Sequence, residues 1–298
     1  MKKNIFISTT SFGLKNFLKY KKKYAKFNAT TNPLKRKLNK NELINFAKKS
    51  NFIIAGTEKY DYQVFRNLKD LKLIFRLGSG VDNINLKAAK KFKIKIKNNK
   101  ITPYIPVSEM VISNIINLLR KISKHDQNMR KNIWKKEMGY TLNGKIVGIV
   151  GYGKIGKYLR KLLSNFGVKV IFSDKIDFKS KYQFKLNDLL KKADIISLHL
   201  SLNKSSRNLI NKAKIKLLKK NSIIINTSRP EIIDYNSLYL ALKKNEIQGA
   251  ALDVFPNEPY FGKFKKLNNV ILTPHIGSYA IEIRDKMEDE AIRSILEF

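Results

Sequence analysis

The clearest chemistry in this chain lies in one six-residue turn. Gly151-Tyr152-Gly153-Lys154-Ile155-Gly156 satisfies G-x-G-x-x-G; it directly follows the apolar run Ile146–Val150 and opens a helix-like stretch, 157–165. Strand, glycine turn and helix in that order are the context a dinucleotide pyrophosphate requires. Gly151 permits the tight turn, Gly153 lets backbone approach the phosphates, and Gly156 lets helix and strand pack closely. The phosphates then rest on free N–H groups at a helix N-terminus. Lys154 and Ile155 belong to the same turn and count with it as cofactor-binding. Asp174 ends the next apolar run, where a carboxylate accepts hydrogen bonds from the adenosine ribose. It would repel a 2′-phosphate, so NAD is expected rather than NADP.

The chain has three histidines and no cysteine. Disulfides, thiolate zinc sites and cysteine nucleophiles are therefore excluded, and no metal site is expected. His125 follows a basic helix end and reads as a solvated residue or a C-terminal charge. His199 sits at a strand end in the cofactor domain, where packing or a hydrogen bond near the cofactor is expected. His275 occupies a Pro-His-x-Gly turn after an apolar strand. A lone histidine there is more often structural than catalytic, so its role depends on its neighbours.

These residues need elements to position them. At 298 residues and 43% hydrophobic, the chain suggests about two domains on a prior of roughly 100–200 residues each. A first series of apolar runs comprises 4–8, Phe52–Ala55 and Leu73–Arg76, with a helix over 42–49 and an Ile/Lys alternation at 93–97 that reads as an edge strand. A long helix over 107–121 follows, apolar on most of its circumference. The second series, Ile146–Val150, 168–173, Ile195–Leu198, 222–226, 249–254 and 270–273, has helical segments between most members. That alternation predicts a doubly wound parallel α/β sheet. A final helix over 282–296 places Met287, Ala291 and Ile295 on one face.

Composition adds limits. Lys+Arg 61 against Asp+Glu 23 gives a formal charge of +38, with concentrations at 19–23, 35–40 and 90–97. Charge focused on one face would favour a nucleic-acid partner. Here lysines occur in every segment, which argues for solvated faces and against nucleic acid, while a positive field can still steer an anionic substrate. No apolar run is long enough for a membrane span, and the N-terminus has too short an apolar stretch for a secretory leader. A cytoplasmic protein is the expectation.

From about Phe52 to Phe298 the chain resembles the D-isomer-specific 2-hydroxyacid dehydrogenase family, in particular its phosphoglycerate dehydrogenase-like branch. The resemblance is carried by Ala55-Gly56-Thr57-Glu58, Arg76-Leu77-Gly78-Ser79-Gly80-Val81-Asp82-Asn83-Ile84 and Gly144-Lys145-Ile146-Val147-Gly148-Ile149-Val150-Gly151. Further along it rests on the segments 193–200, 225–229, 251–255 with Glu258-Pro259, and Thr273-Pro274-His275-Ile276-Gly277-Ser278. It implies two Rossmann-like domains: a smaller, flavodoxin-like substrate domain over 1–98 plus 276–298, and an NAD domain over 99–275, with the active site in a cleft between them. It implies an NAD-dependent oxidoreductase acting at C2 of a small D-2-hydroxy or 2-keto acid, 3-phosphoglycerate among the candidates. The implied catalytic set is Arg229, Glu258 and His275. Imidazole titrates near neutrality and can exchange the hydroxyl proton, a carboxylate can fix its tautomer, and a guanidinium fork can hold the substrate carboxylate. The resemblance assigns Ser201, Thr227, Ser228, Asp253 and Gly277 to the cofactor, Asp253 orienting the nicotinamide carboxamide. Ser79 and Gly80, together with Arg229, would anchor the substrate, although from the residues alone that glycine turn could be only a turn. A homodimer formed through the cofactor domain is implied, with the apolar helix near 107–119 contributing. The chain also stops soon after the last helix of the family pattern, so no appended regulatory domain is expected.

The match has departures. Pro230 stands where the family has glycine after the arginine, Ser201 stands where it commonly has proline, and the loop before the long helix reads Asn99-Lys100-Ile101-Thr102-Pro103-Tyr104 instead of Asn-Thr-Pro-Gly-x-Asn. Pro230 restricts Arg229 to extended conformations, which either suits the strand end or re-aims the guanidinium. These changes leave the substrate open. Pro230 and the basic surface also keep a second reading in view, an NAD-sensing, corepressor-like binding protein on the same fold without turnover.

Overall fold

Apolar runs without alternation become buried parallel strands. β1 (Lys3–Ile7), β2 (Phe27–Thr31), β3 (Phe52–Ala55), β4 (Leu73–Arg76) and β5 (Lys95–Asn98) form one parallel sheet in the order β2-β1-β3-β4-β5. All four residues of β3 and of β4 are buried, because side chains pack on both sheet faces. One face takes α1 (Lys40–Ala47), α2 (Tyr62–Asn67) and α3 (Leu86–Lys91), whose Leu43, Val64, Phe65 and Ala88 meet Phe6, Ile53 and Ile74. The other takes α10 (Ile281–Leu296), which lays Met287, Ala291, Ile292 and Ile295 on Ile5, Ile54, Leu73 and Phe75. Burying Ile295 or Met287 there contributes about 1.5–3 kcal/mol each. β5 is the edge, with Lys95 exposed, as its alternation predicts.

The second sheet is also parallel and has six strands: β6 (Ile146–Val150), β7 (Lys169–Ser173), β8 (Ile195–Leu198), β9 (Ile223–Asn226), β10 (Gly249–Leu252) and β11 (Val270–Leu272). Their order, β11-β10-β9-β8-β6-β7, reverses direction between β6 and β8. Such a switch point opens a crevice at the carboxyl ends of the strands, where doubly wound sheets bind ligands. Helices α4 (Tyr104–Arg120), α6 (Lys154–Leu163), α7 (Leu186–Lys192), α8 (Lys212–Ile215) and α9 (Tyr235–Lys243) connect or cover these strands. The computed structural model describes residues 3–10, 12–13 and 27–298. They form two units, Met1–Thr102 with Tyr279–Phe298, and Pro103–Ser278. The lysine run at 19–23 lies outside the described residues.

Several elements differ from expectation. β2 is an added strand, FNATT, too polar to stand out as an apolar run. The long helix α4 is one-faced: Val107, Val111, Ile115 and Leu119 are buried at four-residue steps, while Ile112, Ile116 and Leu118 are only partly covered. It ends at Lys121, which takes a left-handed conformation (φ 55), and a further helix, α5 (Ile122–Arg130), begins. His125 lies in the first part of α5, so the C-terminal charge expected of it is corrected. Among the described residues no helix is long and apolar enough to cross a membrane.

Candidate active site

The glycine turn follows β6 as its spacing requires. Gly151 has φ +94 and packs against the carbonyl of His199, so a side chain there would be both strained and blocked. Gly156 lies against Ile149 and the Gly151 carbonyl, which brings α6 close to β6. At Gly153, by contrast, a Cβ would meet nothing within 4 Å: the turn faces open space. Gly153 is the N-cap of the ten-residue helix α6 and no side chain caps it. Lys154 beside it is exposed and Ile155 partly so. Uncapped N–H groups facing open space at a helix N-terminus form an anion cradle.

Asp174 follows β7 and is tied to that turn. One carboxylate oxygen accepts from the Tyr152 N–H at 2.6 Å and the other from the Ile176 N–H at 3.0 Å. The acid is thereby held beside the glycine loop with lone pairs to spare for ribose hydroxyls. Past β8 and β9, Thr227 Oγ1 is buried and finds no hydrogen-bond partner among the described residues. Neither does His199 Nδ1, whereas its Nε2 lies 2.8 Å from Ser197 Oγ. Burial lowers the His199 pKa to about 4, so the ring is neutral at physiological pH. Orphaned buried groups at the carboxyl edge of a switch-point sheet fit a polar ligand that supplies their partners. The cradle, the acid and these two groups together fit a dinucleotide. The Ser228 hydroxyl donates to the Leu198 carbonyl at 2.5 Å and accepts from the Leu200 N–H at 3.2 Å, stitching the ends of β8 and β9 together. Ser201 is exposed, in a loop closed by Ser206 Oγ on its carbonyl at 2.7 Å.

Sheet register brings the next group together. Asn226, Leu252 and Leu272, the last residues of β9, β10 and β11, are aligned neighbours. Arg229, Asp253, Glu258 and His275 all lie within six residues beyond those ends. Arg229 is extended (φ −140, ψ 143), and Pro230 opens a single 3-10 turn, where the N–H it lacks is not required. Pro230 therefore suits the strand end. The Arg229 Nη1 donates to the Ser228 carbonyl at 2.8 Å.

His275 Nδ1 lies 3.1 and 3.2 Å from the two oxygens of Glu258. That contact places a proton on Nδ1 and leaves Nε2 for chemistry, without a hydrogen-bond partner among the described residues. His275 itself is left-handed (φ 57), a rare conformation for a residue with a Cβ. Asp253, 1% exposed, supports it from below: it accepts from Thr273 Oγ1 at 2.6 Å, the Ile276 N–H at 2.8 Å and the Gly277 N–H at 2.9 Å. These three bonds bracket the histidine in sequence and hold its turn in place. Burial pushes the Asp253 carboxyl upward, opposed by those donors and by His275. Residue types alone gave no hint of this clasp. Among the described residues no group of three or more acidic or histidine side chains could hold a metal.

Residues 112–277 match the family model described as D-isomer specific 2-hydroxyacid dehydrogenase, NAD binding domain. The chain belongs to the D-isomer specific 2-hydroxyacid dehydrogenase family. The glyoxylate reductase of Thermococcus litoralis is 36% identical over 81% of this chain and 78% of its own length. The hydroxypyruvate reductase of Thermotoga maritima is 32% identical over 82% of each. The NAD+-bound 3-phosphoglycerate dehydrogenase of Entamoeba histolytica superposes with a TM-score of 0.83 at 26% identity, covering 100% of this chain and 95% of that one. This dehydrogenase thus has the family's NAD-binding domain, built on a parallel Rossmann-like sheet, with NAD as its cofactor.

In the unit Met1–Thr102 with Tyr279–Phe298, the turn after β4 carries Ser79 and Gly80. Ser79 is exposed, and neither its N–H nor that of Gly80 has a hydrogen-bond acceptor among the described residues. Two adjacent unpaired N–H groups in a turn can take a carboxylate.

Proposed function

We propose that this dehydrogenase reversibly reduces a small 2-keto acid to its D-2-hydroxy acid, with glyoxylate and hydroxypyruvate as the favoured keto acids. The observation that carries the reading is the His275–Glu258 pair, an imidazole with one nitrogen held by a carboxylate and the other free. Similarity to a glyoxylate reductase and a hydroxypyruvate reductase supports the small keto acid. 3-Phosphohydroxypyruvate, the keto form belonging to 3-phosphoglycerate, would undergo the same chemistry.

NADH bound on the glycine turn supplies the hydride. Gly151, Gly153, Lys154, Ile155 and Gly156 would receive the pyrophosphate, Asp174 the ribose, and the loops of Ser201, Thr227, Ser228, Asp253 and Gly277 would line the cofactor site. Arg229 would hold the substrate carboxylate and polarise the C2 oxygen. His275 Nε2 would give its proton to that oxygen as hydride reaches C2, and Glu258 would stabilise the imidazolium beforehand. In oxidation the same nitrogen would take the proton. The Ser79–Gly80 turn would bind a substrate carboxylate; Pro103–Ser278 would be the NAD-binding unit and Met1–Thr102 with Tyr279–Phe298 the substrate unit.

The working form is proposed to be a homodimer. Around and after α5, Ile122, Met129, Ile133, Trp134, Met138 and Tyr140 are exposed, Trp134 by 78% and Met138 by 90%. A cluster of large apolar side chains of this kind suits a protein interface, and a second copy is the simplest partner. This segment, rather than the buried face of α4, would carry the contact.

The test is NADH consumption with a panel of 2-keto acids, repeated with NADPH, alongside mass measurement in solution. Turnover of glyoxylate or hydroxypyruvate by a dimer is expected. No turnover on any keto acid, together with partner or nucleic-acid binding that responds to NAD, would favour the corepressor-like reading instead.

A further inference from the structure

We propose that Asn99, itself held by Glu290, is the positioning residue that shapes the Gly78–Gly80 turn for a substrate carboxylate. The proposal rests on the reading that this turn binds the carboxylate, and it extends the site to two residues that make no substrate contact.

β4 and β5 are neighbours, with Arg76 opposite Asn98 at their ends. Beyond those ends the two chains are bonded together by the asparagine pair. The Gly78 N–H donates to Asn99 Oδ1 at 2.8 Å, the Asn99 N–H donates to the Gly78 carbonyl at 3.3 Å, and Asn98 Nδ2 donates to the Ser79 carbonyl at 2.8 Å. Gly78 has φ +145, and a Cβ there would strike the buried guanidinium of Arg76. With the carbonyls of Gly78 and Ser79 both engaged on β5, the N–H groups of Ser79 and Gly80 are left for an anion.

The amide of Asn99 has only one workable orientation. It is 3% exposed, and its Nδ2 donates at 2.9 Å to the Met287 carbonyl and at 2.9 Å to Glu290 Oε2. Two acceptors on that side require the NH2 there, so the oxygen must face Gly78. Reversing it would set an oxygen against a carboxylate and an NH2 against an N–H. Glu290 is fixed in turn, accepting from the Lys100 N–H at 2.9 Å. A line of hydrogen bonds therefore runs from α10 through Glu290 and Asn99 to the turn. One such bond lost is worth about a factor of ten.

The experiment compares Asn99→Asp, Asn99→Ala and Glu290→Gln with wild type on glyoxylate or hydroxypyruvate and on the corresponding methyl ester. The asparagine variants are expected to raise KM for the acid about tenfold or more, and Glu290→Gln about threefold, on the single-bond scale. The ester lacks the negative charge that strengthens bonds to the turn's N–H groups, so its KM should rise clearly less than the acid's, with kcat and the NADH dissociation constant within about twofold of wild type. Acid and ester rising together would mean that Asn99 only supports the fold, and no change in either would mean that it does not set the turn; both overturn the proposal. A wild-type enzyme indifferent to acid versus ester would instead bring down the carboxylate reading itself. If neither asparagine variant folds, Glu290→Gln carries the same comparison.

Discussion

The imidazole of His275 rests on the carboxylate of Glu258, with Nδ1 3.1 and 3.2 Å from its two oxygens. Replacing His275 with Asn removes the proposed proton donor and leaves the glycine turn intact. Turnover should fall about 10²–10⁴-fold while NADH binding, followed by fluorescence, stays near wild type. Glu258→Gln takes the carboxylate from behind the ring, and turnover should fall while NADH binding stays near wild type.

Asp253 has a different task from Glu258, since it grips the backbone on both sides of the histidine rather than the ring. Asp253→Asn must turn its NH2 towards either the Gly277 N–H or the Thr273 and Ile276 donors, so a donor meets a donor in either orientation. The fold should lose about 1–3 kcal/mol in denaturant titration. Turnover should fall more than NADH affinity. Thr273→Val removes only one of the three bonds and should cost about 1 kcal/mol.

Asp174 joins cofactor choice to the shape of the glycine turn. Asp174→Ser would remove both the proposed ribose acceptor and the anchor on the Tyr152 N–H. KM for NADH should rise about tenfold, and the preference for NADH over NADPH should shrink by a larger factor as repulsion of the 2′-phosphate disappears. Steady-state kinetics with both cofactors reads the ratio directly.

Glu58 sits 2% exposed between β1 and β3, accepting from Ser8 Oγ at 2.8 Å and the Gly56 N–H at 3.1 Å. Burial raises its carboxyl above the usual range in spite of those donors. The folded chain therefore holds this proton more tightly than the unfolded chain does. Its contribution favours the fold below the ordinary carboxylate range and is lost as pH rises through the raised value. Glu58→Gln should melt above wild type at neutral pH, with a stability gain on the order of 1 kcal/mol, and the difference should close towards acid pH. A constant difference across that range would show that the charge is not responsible.

Much of this architecture was legible because its signals are local. Ile146–Val150 followed by three spaced glycines needs no tertiary information to be read as strand, turn and helix, although α6 begins at Lys154, three residues before the helix-like composition does. The short helices α2 and α3 escaped periodicity because six residues hold fewer than two turns; only Asp61 and Asn85, which cap them, signal their starts. Glu290 could not be connected to Asn99 in advance, as 191 residues separate them and no local pattern records such a bond. The same holds for Asp253 and the turn 20–24 residues later. The unforeseen residues of the site are those that hold others in place.

Pro230 gives Arg229 a head start. A residue before proline is confined to extended backbone even in the unfolded chain, and extended is how Arg229 sits at the end of β9. Part of the backbone freedom that an arginine normally surrenders on folding has thus already been removed by the covalent structure of its neighbour. The saving is entropic and leaves no trace in any contact distance. Because it is drawn from the unfolded chain, Pro230→Ala should cost about 0.4–1 kcal/mol of fold stability in denaturant titration.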